Sequence, residues 1–131
     1  MLDPSKLEKC VRRFQEEPGI LAVWGLGSAF SGRTRAGSDV DFAILYSRSH
    51  AEGFDASGRL LLDLECCLGR TVDLGRLSTR NLIYAYQAIS RGTLLYDRDP
   101  KITIDFVGRV LSLYADLKLD RRVVEEAYCV G

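Results

Sequence analysis

Gly27-Ser28, then ten residues, then Asp39-Val40-Asp41-Phe42-Ala43-Ile44-Leu45-Tyr46: no other stretch of the 131-residue chain says as much about its fold. In its second half Val40, Phe42, Ile44 and Tyr46 alternate with Asp39, Asp41, Ala43 and Leu45, the period of two that sends successive side chains to opposite faces of a strand. Asp is depleted from strands, and carboxylates at i and i+2 share one face and repel each other when ionised. Such a placement calls for positive charge. Hard cations take oxygen ligands, and two carboxylates aimed at one point suit two Mg²⁺ ions about 4 Å apart, the arrangement that serves in-line displacement at phosphorus.

Upstream, residues 20–26 form a continuous apolar run with Val, Ile and Trp, short and bounded by glycines, which predicts a buried strand ending at Gly27. A glycine at that corner lets the backbone approach a ligand closely. The following N–H groups and the Ser28 hydroxyl can then donate to phosphate oxygens. No Gly-Lys-Ser/Thr follows, so the loop is not of the Walker type. Arg33 and Arg35, in the same polar segment, are positioned in sequence to neutralise triphosphate charge. A third carboxylate would orient an attacking hydroxyl, and Asp73, in a short predicted strand over residues 71–74, is the natural choice for that proton acceptor.

Around this core the chain alternates helices and strands. Leu7, Cys10, Val11 and Phe14 follow helical spacing behind Asp3 and Pro4, and Pro18-Gly19 stops that helix. Residues 47–53 read as a loop, and Phe54, Leu61, Leu64 and Leu68 as a helical stripe. Ser78 or Thr79 caps a helix expected to bury Leu82, Tyr86 and Ile89 and to end at Gly92. Residues 93–96 predict an edge strand. Asp99-Pro100 then opens a long helix with Ile102, Phe106, Val110, Leu113 and Leu117 inward, and Asp120 is expected to cap a further turn or short helix. The order is that of an α/β or α+β layer structure. One domain over residues 1–131 is expected, with its motif core at about 20–99 and a helical segment at about 100–130.

Composition narrows the function. Eighteen Lys+Arg balance eighteen Asp+Glu, so no general field draws a nucleic-acid backbone, and no direct nucleic-acid partner is expected. The apolar runs are far shorter than the roughly 20 residues of a membrane span, and a cytoplasmic protein without membrane contact is the expectation. The adjacent Cys66-Cys67 matches no metal-ligand spacing, and with Cys10 and Cys129 these read as core or near-core residues. The lone histidine, His50, lies in a loop, which excludes a zinc site built from Cys and His. Trp24 reads as core.

These residues resemble the minimal nucleotidyltransferase (MNT) group of the DNA polymerase β-like superfamily. Its signature of Gly-Ser, ten residues, Asp-x-Asp and a later Asp is matched by Gly27, Ser28, Asp39, Asp41 and Asp73, and 91–96 (Arg-Gly-Thr-Leu-Leu-Tyr) is also similar to the family's text. The likeness spans about residues 21–99. It implies a small mixed sheet with flanking helices, Mg²⁺ held by Asp39, Asp41 and Asp73, and ATP as substrate. It further implies a helical HEPN toxin as partner in a hetero-oligomer, with AMP transferred to a tyrosine hydroxyl of that partner, so that the chain acts as antitoxin. The chain departs from the pattern after Gly-Ser, reading Ala29-Phe30-Ser31-Gly32 where the family shows small residues and arginine ending in Arg-Gly. The alternative is therefore a catalytically weak MNT domain that neutralises its partner by binding alone.

Overall fold

The computed structural model describes residues 3–27, 30, 39–47 and 54–129, with the backbone alone at 54–57 and 123–129. In order these are α1 (Pro4–Glu16), β1 (Ile20–Leu26), β2 (Val40–Tyr46), α2 (Phe54–Leu68), β3 (Val72–Arg76), a 3₁₀ turn (Thr79–Asn81), α3 (Leu82–Arg91), β4 (Thr93–Asp97) and α4 (Pro100–Cys129). The strands form one mixed sheet in the order β3-β2-β1-β4. β1 pairs antiparallel with both β2 and β4, whereas β2 and β3 run parallel. A parallel pair needs a long crossover, and α2 supplies it. The expected small mixed sheet with flanking helices is thus what the chain forms.

The alternation of β2 sorts the core. Val40, Phe42 and Ile44 pack with Cys10 and Phe14 of α1 and with Leu60, Leu64 and Leu68 of α2. On the other face Ala43 and Leu45 join Ala22 and Trp24 of β1 beneath Ala85 and Ala88 of α3 and Val110 of α4. Arg13 ties α1 to α2, its Nε donating to Asp63 Oδ2 at 2.7 Å while Nη2 donates to Glu17 at 2.8 Å. Arg98 ties β4 to the end of α1 and the start of β1, donating to the carbonyls of Gln15, Glu17 and Ile20.

Several helix faces differ from their sequence expectation. In α3 the buried residues are Ala85 and Ala88, with Leu82, Tyr86 and Ile89 only partly covered, because the two alanines let the helix settle close to the sheet. Tyr86 instead stacks on Tyr114 of α4 at 3.6 Å. Among the described side chains of α4 Thr103 and Val110 are buried, while Ile102 and Leu113 are exposed. The Thr103 hydroxyl donates to Asp97 Oδ1 at 2.6 Å, tying the first turn of the helix to the end of β4. Asp120 caps nothing. α4 runs through it unbroken to Cys129, since no Gly or Pro interrupts the good helix formers on either side.

β3 extends to Arg76, two residues past its expected end. Trp24 and Cys10 are buried, Cys67 is half-buried, and Cys66 is exposed rather than near the core. Burial and the neighbouring Cys67 push the Cys10 thiol up to about 12, so it stays protonated as a packing residue. His50 lies outside the described residues. Among the described residues no helix is long and apolar enough to cross a membrane.

Candidate active site

β1 ends at Leu26, which lies opposite Asp41 in the antiparallel pair with β2. The next residue, Gly27, has φ of 87°, in the left-handed region that favours glycine. A Cβ at Gly27 would stand 3.5 Å from Asp41 Oδ2, so the backbone of the corner passes alongside that carboxylate. On the other flank of β2 the parallel register sets Asp41 directly opposite Asp73. The glycine corner and two of the three expected acids therefore meet at one end of the sheet, brought there by two strand pairings.

The electrostatics of this meeting point are strained in one direction. Asp41 is half-buried, and burial first, then the charge of Asp73 and a hydrogen bond with it, then the charge of Asp39, hold its carboxyl above the usual carboxylate range. Neighbouring carboxyls of this kind accept a shared proton or a cation in preference to two bare charges. Asp39 sits one residue before β2 and is exposed. Among the described residues no three His, Cys, Asp or Glu side chains are gathered closely enough to hold a metal ion as they stand. The donor set itself, all carboxylate oxygen with one member resisting ionisation, fits a hard divalent cation, whose charge would favour the ionised form of Asp41.

Beside the acids opens a cleft of about 430 Å³ lined by Leu26, Asp41, Asp73, Gly75, Asn81 and Tyr84, among others. Tyr84 descends from α3 so that its hydroxyl occupies the place a side chain at Gly75 would take. Burial and the charge of Asp41 push its phenol above the ordinary tyrosine value, so it keeps its proton. Sequence reading assigned Tyr84 nothing. The available signal was Gly75, a glycine two residues past Asp73 and so on the same strand face, where a bare backbone admits another group closely. Ser28, Arg33 and Arg35 lie outside the described residues.

A mixed four-stranded sheet with a glycine corner and facing aspartates on adjacent strands defines a palm of the nucleotidyltransferase type. Residues 8–101 match the family model described as polymerase beta, nucleotidyltransferase, and the chain belongs to that family. Compared by sequence with curated proteins, it finds no match. Among solved structures it is similar to a chain of a toxin–antitoxin complex with AMP-PNP (22% identity, 98% of this chain and 100% of that one, TM-score 0.72). It is also similar to a chain of the toxin–antitoxin MntA-HepT (19%, 98% and 100%, TM-score 0.71). A third likeness is to a chain of the tri-AMPylated Shewanella oneidensis HEPN toxin in complex with MNT antitoxin (20%, 96% and 98%, TM-score 0.70). At these identities the shared property is the fold.

Proposed function

We propose that the protein is a cytoplasmic, Mg²⁺-dependent nucleotidyltransferase that moves AMP from ATP to a tyrosine hydroxyl of a HEPN toxin and thereby acts as its antitoxin. The observation that carries this reading is the register that sets Asp41 opposite Asp73 beside the left-handed Gly27. Structural relatives solved with AMP-PNP and with an AMPylated HEPN toxin support ATP as the substrate and a HEPN protein as the partner. Two Mg²⁺ ions on Asp39, Asp41 and Asp73 would neutralise phosphate charge during the displacement. The chain's own part is positioning. The Gly27-Ser28 corner donates to phosphate oxygens, Arg33 and Arg35 balance the remaining charge, and Asp73 takes the proton of the incoming hydroxyl. The acceptor oxygen bonds to the α-phosphorus as the bond to the β-phosphate oxygen breaks, and pyrophosphate leaves. Incubation with α-labelled ATP, Mg²⁺ and the HEPN protein should label that protein. No label on any acceptor, with wild type equal to Asp41→Asn, would overturn the proposal.

A second reading, neutralisation by complex formation alone, is favoured by the altered loop after Gly-Ser, where Ala29-Phe30-Ser31-Gly32 stands in place of the family's arginine-bearing text. Neutralisation that survives Asp39→Asn combined with Asp41→Asn would support it. Loss of neutralisation with the complex intact would exclude it.

A further inference from the structure

Phe30 stands two residues past Ser28, where the chain departs from the text of the family it resembles, and its ring does not face the cleft. It lies over the bare backbone of Gly25 in β1: a Cβ there would meet Cζ at 2.7 Å and both Cε atoms at 2.8 Å. The same ring meets Phe42 edge-on, centroids 5.9 Å apart, and Phe42 meets Phe14 edge-on at 5.3 Å. Three aromatic rings thus run from α1 through β2 to the loop. Phe42 is the residue after Asp41, and the Phe30 N–H donates to the Gly27 carbonyl at 3.2 Å. Phe30 therefore packs against both the strand that ends in the glycine corner and the strand that carries the acid.

We infer that Phe30 is a positioning residue for the triphosphate: its ring, locked between Gly25 and Phe42, holds the Gly27 corner in its phosphate-receiving conformation. The inference rests on the nucleotidyltransferase reading of the site. Gly27 in a left-handed conformation has much backbone freedom to lose, and a ligand that must order it binds more weakly. An apolar anchor a few residues on removes that cost before the nucleotide arrives. It also accounts for Gly25, because any larger residue in that strand position would evict the ring.

Phe30→Ala removes the anchor. Gly25→Ala displaces it while leaving Phe30 in the sequence, and alanine suits a strand interior better than glycine does. The probe is Mg²⁺·AMP-PNP measured by titration calorimetry, with melting temperature recorded for each variant. Both variants should bind roughly 10-fold more weakly, the scale of having to fix one residue's backbone on binding. Gly25→Ala should stay folded with its melting temperature lowered by a few degrees, and Phe30→Leu, which refills the space, should recover most of the affinity. A folded Gly25→Ala protein with wild-type affinity would overturn the inference even if Phe30→Ala failed to fold. So would an affinity loss that merely follows the loss of melting temperature across the three variants. A wild-type protein that binds no nucleotide would instead bring down the nucleotidyltransferase reading, and this inference with it.

Discussion

The two faces of the sheet share an apolar core but differ in that only one mixes small residues and acids into it. Under α1 and α2 the strands present Phe42, Ile44, Val40 and Val72 to Phe14, Leu60 and Leu64, so that face is filled with large apolar side chains. Under α3 and α4 the alanines Ala22, Ala43, Ala85 and Ala88 sit among Trp24, Leu45, Leu77 and Val110, and toward the cleft this face carries Asp41, Asp73 and Gly75. Both faces are written into the same strand. Along β2, Val40, Phe42 and Ile44 serve packing, and Asp41, between them, serves the site. On the proposed reading, Asp41 serves the site and its neighbour Phe42 serves packing, and substitutions one position apart should separate the two.

The sharpest contrast is between Asp41 and Phe42. Asp41→Asn should lower nucleotidyl transfer by on the order of 10²- to 10³-fold, as when one element of preorganised charge stabilisation is lost, with the protein still folded. Phe42→Ala, one residue on, should cost about 3–5 kcal/mol of stability in urea unfolding, because it empties the junction of the Phe14 and Phe30 rings. If Asp41→Asn unfolded the protein, the division of labour along β2 would fail. A smaller effect tests the small-residue face. Gly75→Ala forces a methyl into the place of the Tyr84 hydroxyl and should cost about 1–3 kcal/mol. Combined with Tyr84→Leu the cost should be less than the sum of the single substitutions, and strict additivity would show that the two residues do not share that space.

The smallest expected effect is electrostatic. The folded pKa of Asp41 lies above its ordinary value of 3.8, so folding favours the protonated acid. The metal-free protein should therefore lose stability as pH rises from that ordinary value through the raised one, and keep the deficit at neutral pH. Asp41→Asn should flatten this dependence and raise the neutral-pH melting temperature by a few degrees in the absence of Mg²⁺. An unchanged pH profile in the variant would show that the burial and charge around Asp41 do not act on stability.

Much of this was legible in the sequence, and the boundary is physical. The period of two in residues 40–46 and the apolar run before Gly27 are local patterns, so β1, β2 and the glycine corner could be read directly. The pairing of Asp41 with Asp73 could only be guessed from a short third strand, because strand direction and register are decided by the crossover through α2. Tyr84 was invisible for the same reason: its contact with Gly75 is made across the face of the sheet by a helix nine residues on. The rotation of α4 escaped because its apolar residues are spread around the helix, and the buried side is marked instead by Val110 and by Thr103 bonded to Asp97.

Binding of Mn²⁺ in place of Mg²⁺, followed by electron paramagnetic resonance in the presence of AMP-PNP, reports most directly on the paired acids. Wild-type protein should immobilise the ion beyond what the nucleotide alone does, and Asp41→Asn combined with Asp73→Asn should abolish that excess. Equal immobilisation by the two proteins would mean that the meeting of β2 and β3 gathers no cation.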